Sequence, residues 1–288
     1  MNLQKNIGKV LDSTKKWDQE LFEFAKDFLL SFDGITNADV ELHLTSEYEK
    51  PNDLKKIYKQ FCWAAQNRQS AVNVISGSIK GESIDSLAEV LFDFSPKNVA
   101  EKYSKASAEE LLDEIEKKIK PSGKIRKEKR SLWPQYCRSV IHAAHFLKSF
   151  ETAKKFYAWA DFFANNSMAK PALPLMISIE VSGFGFPLAC DFLKEIGYKE
   201  YGKPDVHLKD IFEELELIDK NEKSNLKQNY EILKIIDRIA LSNDTTAYAV
   251  DKVFWLIGSG NFYRLKKEFV GQKEKFILAV KKKIGTFK

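Results

Sequence analysis

The stretch LPLMISIEVSGFGFPLACDFLKEIGYKEYGKPDVHLKDIF, residues 173–212, decides the fold of this chain. An apolar helical segment runs to Val181, then come Ser182, Gly183, Phe184 and Gly185, and a second apolar helical segment starts at once. Gly183 and Gly185 let the backbone turn sharply and approach another molecule with no Cβ in the way. Exposed amides at the start of the second helix form an anion site that suits a DNA phosphate. A tight pair of helices in any helical protein carries the same Gly-x-Gly, so the turn alone leaves both readings open. Twenty residues after Gly185 the chain reads Lys203-Pro204-Asp205-Val206-His207, with Asp205 placed to cap the helix DVHLKDIF.

Outward from this stretch, nearly every segment has helical periodicity. Leu21, Phe24, Ala25, Phe28 and Leu29 form an i, i+3, i+4, i+7 stripe, and Ile57, Phe61, Ala64 and Ala65 form another. Residues 83–91 and 108–119 read as helices, and SAEE is a capping-box start for the second. Further helices are predicted over 131–149, 151–165, 174–181, 186–196, 205–215, 224–237, 246–257 and 266–283. Only VELHLT, residues 40–45, alternates, as a short edge strand or a loop. The predicted class is all-α. Breaks at PSGK, NNSMAKPALP, SGFG and YKEYGKP are turn chemistry, not flexible linkers.

The 288 residues, 44% hydrophobic and 30% charged, are enough for one large domain or two closely connected ones. No apolar run reaches the ~18 residues that span a bilayer. The first residues lack the apolar core of a secretory signal, so a cytoplasmic protein is expected. Cys62, Cys137 and Cys190 match no disulfide framework and, with the four histidines, no metal spacing. The net charge of +5 conceals two basic segments, residues 117–130 and 264–288, each +7, on an otherwise acidic chain. They suit a polyanion or form solvated lysine-rich faces.

The hairpin followed by Gly/Pro…Asp resembles the HhH-GPD superfamily of DNA glycosylases. Within it, GFGFPLACDFLKEIGY is most similar to the 8-oxoguanine glycosylase/lyase branches, with Gly-x-Gly followed by small, Phe-Leu and Ile-Gly positions. VDKVFWLIGSG, residues 250–260, resembles the Asp-x-x-x-Trp…Gly segment of short archaeal-type members. GKIRKEKRSLWPQYCRSVIHAA loosely resembles their Gly-x-Arg…Lys helix opening. The likeness is good over 173–212, weaker over 123–260, and absent before about residue 55.

The resemblance implies two helical subdomains with a cleft between them, residues 61–206 ending in the hairpin, and residues 1–60 with 207–288. It implies a monomeric base-excision enzyme acting on double-stranded DNA with a damaged, oxidised purine such as 8-oxoguanine, and no membrane partner. No cofactor is implied beyond a monovalent cation held by hairpin carbonyls against a phosphate. Asp205 is then the catalytic carboxylate. An anion near C1′ stabilises the oxocarbenium character of the sugar and orients a nucleophile, and a helix start should keep it ionised. Gly183, Phe184, Gly185 and His207 are implied DNA contacts, with Phe184 facing DNA or packed beneath the turn, and His207 on the backbone or structural. Trp133, Trp255 and Phe262 are candidates to wall a flipped base, or core aromatics. Gln66, Asn67, Arg68 and Gln69 form a polar cluster that either fills the gap left by that base or simply ends a helix.

The pattern breaks at Pro187, where bifunctional relatives carry the lysine that attacks C1′. A proline nitrogen lies in the peptide bond and cannot attack. Three consequences are open: a monofunctional glycosylase whose Asp205 orients water, an amine displaced to Lys199, Lys203 or Lys209, or a non-catalytic DNA-binding protein. About thirty residues follow Trp255, so the terminal-residue base reading of the short members does not transfer.

Overall fold

The computed structural model describes the backbone of residues 2–287 and the side chains of residues 12–68 and 72–287. Among these, helices run in the order α1 (Asn2–Leu29), α2 (Asn37–Leu44), α3 (Leu54–Ala65), α4 (Pro96–Lys102), α5 (Ala108–Lys118), α6 (Leu132–Lys148) and α7 (Ala153–Ala164). They continue as α8 (Ala172–Glu180), α9 (Phe186–Glu195), α10 (Val206–Glu214), α11 (Asn225–Ser242), α12 (Ala247–Ser259) and α13 (Lys273–Lys283). The only ladder among the described residues pairs β1 (Asn261–Phe262) with β2 (Lys267–Glu268), antiparallel. The protein is all-α. No described helix is long and apolar enough to cross a membrane.

The chain divides into two compact units, Tyr48–Tyr198 and Met1–Glu47 with Lys199–Lys288. These divisions fall earlier than the expected 61 and 206. The first moves because α3 belongs wholly with α6 and α9, against which it packs. The second moves because residues after Tyr198 are already fastened to the terminal unit. There the Tyr248 amide donates to the Lys199 carbonyl at 2.9 Å, and Gly202 lies against Ile236 and Asp251.

In the Tyr48–Tyr198 unit, α6 is the central helix, flanked by α3, α4, α5 and α8. Its aromatic centre stacks Phe61 of α3 on Phe192 of α9 at 3.7 Å between ring centroids, with Phe146 of α6 edge-on at 6.1 Å. In the other unit α1, α10, α11, α12 and α13 surround an apolar core that includes Leu21, Phe212, Ile236, Phe254 and Phe276. The stripe predicted from Leu21 to Leu29 supplies the α1 side of that core. Asp18, fully buried, receives Arg238 Nε and Nη2, both at 2.9 Å, and so ties α1 to α11.

Several local expectations fail for identifiable reasons. Residues 40–45 lie mostly in α2: Thr36 and Asp39 form a capping box, and Val40, His43 and Leu44 are buried at i, i+3 and i+4. Alternation across six residues was compatible with that helical spacing. Residues 83–91 give only a 3-10 turn, Ile84–Ala88, closed by an Asp93 amide bond to the Ala88 carbonyl, with Phe92, Asp93 and Phe94 all at positive φ. The SAEE box does not form, because Ser107 Oγ pairs with Ser104 Oγ at 2.9 Å and leaves α5 without a side-chain cap. The predicted helix over 266–283 begins only at Lys273, since Lys266 is left-handed and the β1–β2 ladder precedes it. Helix α4, which the periodicity missed, starts from Ser95 as cap with Pro96 in its first turn.

Candidate active site and hairpin

Helix α8 ends at Glu180, and α9 starts at Phe186, with Gly185 as its N-cap and Pro187 in its first turn. Between them Gly183 has φ +83°, a conformation costly for any residue with a Cβ. A Cβ there would lie 2.8 Å from Ser139 Oγ and 3.1 Å from Arg68 Nη1. Ser139 Oγ donates to the Ser182 carbonyl at 3.0 Å, fixing the turn to α6. Gly185 is exposed, and no side chain caps α9, so its first amides have no side-chain acceptor.

Phe184 is the correction at this turn. Its ring is 1% exposed and tilts against Phe61 at 5.3 Å, so it anchors the hairpin from beneath. Pro187, half-buried in the first turn of α9, carries no amine, as the sequence required.

Three carbonyls of this turn accept hydrogen bonds from within the protein. Val181 accepts from the Phe184 amide at 2.9 Å, Ser182 from Ser139, and Gly185 from the Ala189 amide at 3.0 Å. The Arg68 guanidinium also lies against Gly183, a positive charge that opposes a cation at the same place.

Asp205 belongs to the other unit, as the N-cap of α10. Its Oδ1 accepts the amides of His207 at 2.9 Å and Leu208 at 3.2 Å. No hydrogen bond to Oδ2 occurs among the described residues. Gly202 brings the Asp205 segment against α11 and α12, where a Cβ would sit 2.9 Å from Ile236 Cδ1 and 3.1 Å from Asp251 Cβ. Asp251, on α12, is 1% exposed. Burial first, and then the charge of Asp251, raises the Asp205 carboxyl above the usual aspartate range; Lys203, His207 and the Leu208 amide oppose this without reversing it. The two capping amides therefore do not outweigh burial beside a second carboxylate.

His207 is half-buried and its Nδ1 is enclosed without a hydrogen bond. Its ring fills the space beside Gly258, where a Cβ would lie 2.6 Å from Nδ1. Lys203 is the displaced-amine candidate whose charge reaches Asp205. Lys209 pairs with Glu213 at 3.8 Å, and Lys199 is exposed.

The three aromatic candidates separate. Phe262 is fully buried among Phe32, His43 and Phe269, and Trp133 is 3% exposed and edge-on to Tyr136, so neither presents a face to a base. Trp255 is half-buried on α12, with Lys252 Nζ 4.9 Å above its ring and Tyr263 6.0 Å away. Lys252 also lies 4.8 Å from the Tyr263 ring and 5.6 Å from that of Tyr248. Asp251, in the segment VDKVFWLIGSG, meets the Gly202 segment from α12, a pairing that no local pattern signals. Of the basic segments, Lys127 is neutralised by Asp113 and Glu116, and Lys281 by Glu214, whereas Lys124, Arg126 and Arg130 line a groove with Glu128 and Trp133.

No protein-family model matches this chain, and no curated protein matches it. Among solved structures it is similar to the Methanocaldococcus jannaschii 8-oxoguanine glycosylase/lyase in complex with 15mer DNA containing 8-oxoguanine. The identity is 14% and the TM-score 0.47, over 87% of this chain and 99% of that one. Likeness at this distance assigns no residue a role.

Proposed function

We propose that this protein is a DNA glycosylase of base-excision repair, acting on duplex DNA that carries a damaged, oxidised purine such as 8-oxoguanine. The observation that carries the reading is the state of Asp205: one carboxylate oxygen caps α10, the other has no hydrogen bond, and burial with Asp251 makes the group more basic than an ordinary aspartate. Such a carboxylate suits two tasks at one atom. Oδ2 takes a proton from the water that attacks C1′, and its charge stabilises the oxocarbenium character that develops as the base departs. The uncapped amides at the start of α9 and the open backbone at Gly183 and Gly185 support duplex binding through phosphates.

Hydrolysis without a covalent intermediate follows from Pro187. Incubation with duplexes carrying 8-oxoguanine and other lesions should yield strand breaks only after alkali, and no borohydride-trapped adduct. Lys203 supports a second reading, in which a displaced amine attacks C1′. A trapped adduct lost in Lys203→Met would establish that reading in place of the first. Absence of base release from every lesion tested would leave a DNA-binding protein and refute the enzyme.

A further inference from the structure

We propose that Arg68 and Arg138 form one anion site that grips a backbone phosphate of duplex DNA at the hairpin, in place of a bound monovalent cation. The inference rests on the DNA-binding part of the reading above and is independent of base excision.

Arg68 starts the 3-10 turn that follows α3, and its Nη1 lies against Gly183. Arg138 is on α6, next to Ser139, whose hydroxyl holds the Ser182 carbonyl. Both arginines are half-buried, and neither makes a hydrogen bond or an ion pair among the described residues. Ser139 Oγ and Arg68 Nη1 meet at Gly183, which brings the Arg138 segment to Arg68; burial, and then the charge of Arg138, depresses Arg68. Half-buried like charges are unfavourable unless an anion lies between them. A guanidinium pair presents two planar forks, the geometry that suits the oxygens of a phosphodiester.

Gln66 adds an independent sign at the same end of α3. It is fully buried, and neither Oε1 nor Nε2 has a hydrogen-bond partner. An amide held dry with both functions unmet is costly in a closed protein core. Gln66 precedes Arg68 by two residues at the end of α3. The Val181, Ser182 and Gly185 carbonyls already accept hydrogen bonds, and Arg68 brings a fixed positive charge to the turn.

The test is titration of a short undamaged duplex with the full chain, by fluorescence anisotropy across a salt series. Arg68→Gln and Arg138→Gln should each weaken binding by about tenfold, the loss expected for a charge-assisted contact. The double variant should lower the salt slope by about one unit, the signature of one lost phosphate. Neither substitution should lower the Tm of the free protein, because each removes a like-charge neighbour. A structural role would instead lower Tm and leave the slope alone. Wild type also serves without any variant: replacing potassium by tetramethylammonium at equal ionic strength should leave affinity unchanged. Loss of affinity on that exchange, or unchanged affinity and slope in the double variant, overturns the arginine site. A wild type that binds no duplex at low salt overturns the DNA reading itself.

Discussion

Asp205 at the start of α10 lies within the electrostatic reach of Asp251, a buried carboxylate on α12, with Gly202 fitted against the Asp251 side chain. The residues are 46 apart in sequence, yet the charge of Asp251 adds to burial in raising the basicity of Asp205. A capping aspartate on an ordinary surface helix has no such neighbour.

The pair predicts a pH profile. Base release needs ionised Asp205, so activity rises with pH through a value above the usual aspartate range. Asp251→Asn removes the charge that raises Asp205, and its acid limb should move to lower pH. Rates of base release from pH 4 to 8, compared between the two proteins, check this; a limb that stays in place removes Asp251 from the account.

The hairpin predicts a backbone effect. Gly183→Ala places a Cβ 2.8 Å from Ser139 Oγ at φ +83°, and should cost about 1–2 kcal/mol from the left-handed conformation alone. Denaturant unfolding measures that loss. Affinity for undamaged duplex should fall with it, while Gly185→Ala, at ordinary φ and with open surroundings, should be mild in stability.

His207 predicts a packing effect near the aspartate. Gly258→Ala would drive a methyl into the imidazole at 2.6–2.7 Å, displacing the residue whose amide Asp205 caps. Destabilisation of about 1–3 kcal/mol is expected for such overpacking. Gly258→Ser should be at least as harmful. Wild-type melting by the alanine variant would mean that His207 has room to move.

Much of this was legible before any coordinates. Helical periodicity gave the class, and the Ser182–Gly185 turn and the Asp205 cap stand where local chemistry put them. Some local readings failed on local chemistry, as where Ser104 takes the Ser107 hydroxyl from the α5 cap; others turned on distant neighbours. Whether Phe184 faces outward or packs beneath the turn was open in sequence, and Phe61 and Phe192 decide it by enclosing the ring. Phe262 was open between base pocket and core, and Phe32 and His43 reach it from more than two hundred positions away. The capping amides were predictable for Asp205; the opposing Asp251 was not, because no local rule joins those two segments.

The central claim is that Asp205 performs glycosidic chemistry beyond capping its helix. Asp205→Asn keeps an oxygen to accept the His207 and Leu208 amides, so the helix start survives; Asp205→Ala would forfeit about 1 kcal/mol of capping besides. A carboxyl whose pKa is higher folded than unfolded costs stability as pH rises through the interval between the two values, so the asparagine variant should also lose that decline. The decisive measurement is single-turnover base release from a lesion duplex, with binding of the same duplex measured in parallel. The account predicts that Asp205→Asn loses release by about a hundredfold or more while binding holds. Release at the wild-type rate by this variant would contradict it.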